Sequence, residues 1–274
     1  MALVKIEILE KSDIRMRLLI EGTDAAFMNA VRRIVTSEVP SMAVDDVVII
    51  ENSSALQDEF LAHRIGLVPL RTDLETYNLP ENCKCKSEFG CNLCRVSLIL
   101  DVEATDHALT VYSGDFKSEN PAIVPASDRI PIVKLAPEQK VRLEAYARLG
   151  KGKDHARWQP ASLCAYKHLP VITVDTKLCD LCGDCIRVCP KNVLAKTGDK
   201  LELRNIINCT LCQDCVDACQ KTPQAVNVAW DEHSFVFDIE SSGALPPEKI
   251  LQAALGILEE KLKGFRDIFK GIKE

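Results

Sequence analysis

The chain has 274 residues, 47% of them apolar and 5% aromatic, which is enough for two or three domains with cores of their own. Its formal charge of −6 excludes a chain that binds nucleic acid through bulk electrostatics. The start "MALVKIEILEKSDIRM" has no apolar leader, and no run approaches the roughly 18 apolar residues of a membrane span. Thirteen cysteines then imply metal ligands in a reducing compartment rather than disulfides, and the expected location is cytoplasmic.

Residues 3–9 and 14–20 are expected strands around the turn "EKSD". Thr23 or Asp24 caps a helix in which Phe27, Ala30, Val31 and Ile34 recur at three-and-four spacing, while Arg32 and Arg33 leave that face. Pro40 ends it. "AVDDVVII" (43–50) reads as a strand, and "DEFLAHRIGLVPL" (58–70) as a short helix stopped by Gly66 and Pro69. After a cysteine-bearing loop, "RVSLILDVEA" and "HALTVYSGDF" form an expected strand pair around "TD". Residues 117–170 are broken by prolines and are expected to be irregular, with short strands. Within them "GKGKDHARW" (150–158) lacks the G-K-[ST] ending of a phosphate loop, so an exposed basic loop is expected, solvated or docked on an acidic partner. His63, His107, His155, His168 and His233 form no local metal or acid–base pattern. "HSFVFDIES" (233–241) alternates as a strand.

The last segment is the clearest helix. From Pro247, a tolerated first-turn residue, Leu251, Leu255, Leu258, Leu262, Phe265, Phe269 and Ile272 step by four and three along one face. Glu259, Glu260, Lys261, Lys263 and Lys270 lie outside that seam. Gly256 and Gly264 weaken the helix by about 1 kcal/mol each relative to alanine, so packing has to offset them. Periodicity leaves two readings open: a helix lying on its own sheet, or one that pairs with a partner subunit.

The cysteines carry the chemistry. Cys179, Cys182, Cys185 and Cys189 recur as Cys209, Cys212, Cys215 and Cys219, each quartet spaced C-x2-C-x2-C-x3-C. Three thiolates of such a loop wrap one cubane iron–sulfur cluster, and in two-cluster ferredoxins the fourth comes from the other repeat. Cys179, Cys182, Cys185 and Cys219 are therefore assigned to one [4Fe–4S] cluster, and Cys209, Cys212, Cys215 and Cys189 to the other. A structural zinc pair is the plainer reading, and the triple run fits it poorly because zinc prefers separated C-x2-C pairs. Pro190 follows Cys189, whereas Gln220 follows Cys219. Cys83, Cys85, Cys91 and Cys94, spaced C-x-C-x5-C-x2-C, suit one closed tetrahedral Zn2+ site; a redox-labile loop or a site without metal are the alternatives. Cys164 stands alone as a packed thiol.

Two segments resemble a known family. "FMNAVRRIVTSEVPSMAVDDVVIIENSSALQDEFLAHRIGLVPL" (27–70) resembles the signature of the α-like RNA polymerase subunits: bacterial α, the third-largest subunit of eukaryotic RNA polymerase II, and their archaeal counterpart. "ARLGKGKDHARWQPAS" (147–162) resembles a second segment of the archaeal and eukaryotic members, and the loop at 83–94 is similar to the zinc loop of the eukaryotic relative. The resemblance is to the archaeal members that carry a ferredoxin-like iron–sulfur segment, and it implies an α+β fold with three parts. A dimerisation domain is built from 1–45 and 225–274, a mostly β insertion domain spans 46–170, and a two-cluster ferredoxin-like domain is inserted at 171–224. It also implies a non-catalytic assembly platform. The C-terminal helix would pair with subunit L, segments 27–35 and 58–70 would seat the large subunits, chiefly B, and DNA would be met only through the complex. The alternative is a ferredoxin-type electron-transfer protein with an attached interaction scaffold.

Overall fold

The computed structural model describes residues 4–87 and 90–272 of the chain. They divide into two compact units, each assembled from separated stretches: 1–10, 17–28 and 165–238 in one, 11–16, 29–164 and 239–274 in the other.

Strands β1 (Lys5–Lys11) and β2 (Arg15–Glu21) form where alternation places them, although Leu3, the first residue expected in β1, lies outside the described residues. Ser12 closes their turn, accepting the Arg15 N–H on its hydroxyl at 3.0 Å. Helix α1 (Ala25–Ser37) is capped by Asp24, whose Oδ1 accepts the Phe27 N–H at 2.8 Å. Its buried face is Met28, Val31, Ile34 and Val35; Phe27, expected on that face, is exposed. Pro40 both stops the helix and opens β3 (Pro40–Asn52), an edge strand, where a missing N–H costs no ladder bond. Helix α2 (Asp58–Gly66) buries Leu61 and Ile65, and Arg64 in its last turn donates to the carbonyls of Ile132 and Pro131 at 2.8 and 2.7 Å.

The middle of the chain departs most from expectation. Strands β4 (Arg95–Glu103) and β5 (Leu109–Tyr112) are not partners. β4 pairs with β6 (Lys117–Ser118) and β8 (Lys140–Lys151), and β5 pairs with β7 (Pro131–Leu135), for example Leu98 opposite Ala145 and Val111 opposite Val133. Residues 117–170 also hold two long strands, β8 and β9 (Ala161–Val174), rather than short ones. In β8 the inward positions are Val141, Leu143, Ala145, Ala147 and Leu149, so small alanines blur the two-residue period. In β9 Pro170 reads as a breaker, yet β9 lies at a sheet edge, where proline is tolerated.

The remaining strands are β10 (Leu194–Thr197), β11 (Lys200–Leu203) and β12 (Val226–Ser241), the last reaching well back from its expected start. Two four-stranded sheets result, with orders β1-β2-β12-β9 and β3-β8-β4-β6. The core around the second sheet joins Met42 and Val44 of β3, the inward residues of β8, Val96, Leu98 and Leu100 of β4, and Leu61 and Ile65 of α2.

The segment 150–158 is not the exposed basic loop its composition suggests. Lys153 and Asp154 form an exposed tip, but Trp158 is only 5% exposed and donates its Nε1–H to the Arg148 carbonyl at 3.2 Å. The Trp158 carbonyl accepts from Ser41 Oγ at 2.8 Å, and Arg157 Nη1 donates to the Val44 carbonyl at 2.9 Å. Arg157 and Trp158 thus tie the β8–β9 connection back onto β3. Gly150 is required there, because a Cβ would stand 2.4 Å from the Trp158 ring. Gly150→Ala should overpack this corner and cost about 1–3 kcal/mol, read as a lower urea midpoint. Lys153→Ala, at the exposed tip, should leave the midpoint unchanged.

Candidate metal centres and partner face

A short 3-10 turn at Pro80–Asn82 delivers Cys83, and β4 begins directly after Cys94, so the cysteine loop is held at both ends. The Cys94 N–H donates to the Cys91 carbonyl at 2.8 Å, and the Cys91 N–H points at Cys94 Sγ at 3.1 Å. The sulfur separations are 3.7 Å for Cys83–Cys91, 3.8 Å for Cys85–Cys94 and 3.8 Å for Cys91–Cys94. A tetrahedral ion with metal–sulfur bonds near 2.3 Å sets its sulfurs about 3.8 Å apart. Among the described residues no other group of three or more cysteine, histidine or carboxylate ligand atoms closes to within 4.8 Å of one another. The four thiols are electrostatically unequal. Backbone hydrogen bonding from Ser87, aided by the Cys83 thiol, lowers Cys85 to about 7, whereas burial pushes Cys94 up to about 12.

The two quartets are built alike. Each loop passes through left-handed backbone at Leu181 and Leu211 and again at Gly183 and Gln213. Each then enters a short helix, α3 (Asp184–Val188) or α4 (Asp214–Asp217). One cavity is lined by Cys179, Cys182, Cys185 and Cys219, and a second by Cys209, Cys212, Cys215 and Cys189. Three thiols of one repeat thus meet the last thiol of the other, on both sides. The second cavity is narrower, about 20 Å³ against about 160 Å³ for the first. No three thiols of either quartet come within 4.8 Å of one another, a wider spread than a single zinc ion takes.

Burial raises the pKa of both Cys185 and Cys215, Cys215 to about 11; the next contributions are the neighbouring Cys179 and Cys182 for the former, Cys189 and Cys209 for the latter. At the rim of the first cavity Lys221 pairs with Asp180 at 2.7 Å, and Gln220, where the first repeat has proline, donates to Asp184 Oδ2 at 3.4 Å. Cys164 belongs to none of the three groups, and burial pushes its thiol up to about 12.

Helix α5 (Pro247–Gly271) carries the expected seam in two parts. Its first turns are anchored through buried Ile250 and Ala254, with Leu251 and Leu258 half-buried and Leu255 exposed. Beyond Leu258 the face is open: Leu262, Phe265, Phe269 and Ile272 are 61%, 70%, 55% and 74% exposed. The strict four-three count passes over Ile268, 70% exposed, which sits beside Phe265 and Ile272 at helical spacing and widens the stripe. Phe265 and Phe269 stack with ring centroids 6.3 Å apart. Among the described residues no helix is long and apolar enough to cross a membrane, so the stripe is no bilayer span.

Residues 17–262 match the model of the RNA polymerase Rpb3/Rpb11 dimerisation domain. The chain belongs to that family. It is 44% identical over 269 residues to a protein of Archaeoglobus fulgidus named DNA-directed RNA polymerase subunit Rpo3, covering 98% of this chain and 99% of the relative. A protein of the same name from Methanosphaera stadtmanae is 42% identical over 260 residues, 94% and 96% of the two chains. One from Aeropyrum pernix is 38% identical over 276 residues, 97% and 96%. These relatives are named as subunits of DNA-directed RNA polymerase, a nucleotidyltransferase complex.

The loop at 83–94 yields a pH prediction for this family member. Metals bind thiolates, so any thiol protonated before binding must release its proton. Cys94, raised by burial, is protonated throughout the neutral range. Zinc binding should therefore tighten with rising pH between 6 and 8, by at least about tenfold per unit from this thiol alone. Competition with a chelating dye on the full chain measures it; a pH-independent affinity would rule out a Cys94 ligand.

Proposed function

We propose that the chain is the α-like, non-catalytic assembly subunit of an archaeal RNA polymerase, pairing through α5 with the small L subunit and seating the large subunits, chiefly B. The observation that carries this reading is the open apolar face of α5, in a chain whose family is defined by dimerisation. Five side chains, Leu262, Phe265, Ile268, Phe269 and Ile272, would each bring roughly 1.5–3 kcal/mol when fully buried, before ordering costs. Left uncovered, such a stripe favours aggregation. The span of the family match, 17–262, favours a scaffold throughout over a ferredoxin with an appended scaffold. In this reading 1–45 and 225–274 form the dimerisation domain, 46–170 the insertion domain and 171–224 a ferredoxin-like domain. A cytoplasmic location follows from the role.

Two [4Fe–4S] clusters belong to the same proposal. Crossed thiol sets around two cavities, with sulfurs too spread for single ions, support Cys179, Cys182, Cys185 and Cys219 for the first and Cys209, Cys212, Cys215 and Cys189 for the second. When bound, each cluster would supply a one-electron couple and four metal–thiolate bonds. What the chain itself supplies is a small core in which Cys185, Cys209 and Cys215 stand among only five other buried residues, Ile172, Val193, Leu194, Val226 and Val228. So few apolar side chains stabilise a segment of this length poorly without staples, and a structural role for the clusters follows, with redox sensing as its consequence. The loop at 83–94 takes one Zn2+.

Two measurements test the proposal. Anaerobically prepared full-length chain should contain about eight iron and eight inorganic sulfide. Stoichiometric zinc at those eight cysteines, with no sulfide, contradicts the clusters. For the partner face, Phe265→Glu puts a carboxylate in the open stripe, away from the half-buried Leu258, and should abolish the heterodimer with a co-expressed L subunit at unchanged circular dichroism. Glu260→Gln, off the stripe, should leave the complex intact by size-exclusion chromatography. A heterodimer that survives Phe265→Glu removes α5 from the interface.

A further inference from the structure

The two thiol sites resemble each other in backbone and ligand order, yet they are tied to the rest of the chain by different means. At the first, the approach to Cys179 is fixed by main-chain bonds and by Asp175, whose Oδ1 accepts the Lys177 N–H at 2.8 Å. The Asp175 N–H donates to the Ala225 carbonyl at 2.8 Å, and the Cys179 N–H to the Asp175 carbonyl at 3.0 Å. At the second, the approach is a 3-10 turn over Ile206–Asn208, entered through left-handed Asn205. Its N–H groups are satisfied inside the turn: Asn208 donates to Asn205 at 2.8 Å and Cys209 to Ile206 at 3.0 Å. The carbonyls of Ile207 and Cys209 turn instead toward β9. There the half-buried Lys167 donates its Nζ to both, at 2.5 and 2.7 Å. Among the described residues no cation reaches the carbonyls of Lys177 and Cys179, the equivalent pair at the first site.

A lysine side chain is long and mobile, and ordering it costs rotamer entropy. An ammonium group held on two carbonyls, one belonging to a ligand residue, also sets a positive charge beside the thiol site. An iron–sulfur cluster becomes more negative on reduction, and its potential follows net charge and hydrogen bonding around the sulfurs. We infer that Lys167 is a positioning residue of the second site: it fastens the Cys209 loop to β9 and makes the cluster bound there easier to reduce than it would be without the lysine. The inference rests on the cluster reading above. It makes the two sites inequivalent: among the described residues, only the second is connected by a charged side chain to β9 of the β1-β2-β12-β9 sheet.

The test is a redox titration of the full-length, cluster-loaded chain, followed by electron paramagnetic resonance, in which dithionite delivers one electron to each cluster. Lys167→Gln keeps a donor of shorter reach and removes the charge. It should lower one of the two midpoints and leave the other in place, and it should release iron from one site faster than from the other under a chelator. Lys167→Arg should restore the lowered midpoint, and Lys177→Gln, which removes a charge from the first loop, should not reproduce the shift. Two unmoved midpoints in Lys167→Gln with full iron would overturn the inference. Equal loss of half the iron in the Gln and Arg variants would also overturn it, because the position would then matter for packing and not for charge. A wild-type chain that holds no iron and sulfide fails at the earlier step and refutes the clusters themselves.

Discussion

The neck where β9 ends and β12 begins governs much of this structure. β9 and β12 are neighbours in one sheet, and between Val174 and Val226 the chain leaves that sheet, builds both cysteine quartets and returns. The neck is closed by the Asp175 N–H on the Ala225 carbonyl. Everything in the excursion depends on what those two strands hold in place, because its own apolar content is small: Ile172, Val226 and Val228, which complete its core, belong to the sheet strands. A segment of this kind has few residues with which to offset the conformational entropy of ordering about fifty others. In the proposed reading thiolate ligation would supply what the side chains do not, which would couple the excursion to metal and leave the sheet independent of it.

The second unit follows the opposite design. Its sheet is lined by a continuous set of buried aliphatic residues from β3, β4, β8 and α2, and the Arg157–Trp158 turn ties β8 back to β3 without any metal. Helix α5 shares both characters. Ile250 and Ala254 anchor its beginning, and its second half is left with an open apolar face. A helix half anchored and half open is poised for association, because the anchored turns prepay part of the ordering that binding requires.

The legibility of these features in the sequence follows from how local their causes are. Cysteine spacing is a local signal, and it names all twelve thiols that the structure gathers into three groups; Asp24, Pro40 and the start of α5 at Pro247 are local signals too. Pairing is not local. The sequence offers β4 and β5 as a hairpin because they are adjacent, while the partners of β4 are the short β6 and the long β8, whose inward Ala145 and Ala147 hide its period. β9 is obscured by Pro170, a breaker everywhere except at an edge. The basic run at 150–158 has the composition of a solvated loop, and nothing nearby in sequence shows that Trp158 is received by Ser41 and Arg148. Ile268 falls outside a strict heptad, and Lys167 carries no signal at all, since its partners lie some forty residues further along the chain.

If metal holds the excursion between β9 and β12 while the sheet holds itself, the two should respond differently to loss of metal. Hydrogen–deuterium exchange on the full-length chain, with and without bound iron and sulfide, measures that difference. Removal of the clusters should leave amides across 176–224 exchanging at nearly unprotected rates, while those of β9 from 165 to 172 and β12 from 228 to 238 keep their protection. Loss of protection in both strands together with the excursion, or an excursion that stays protected without metal, would show that metal does not hold the excursion apart from the sheet.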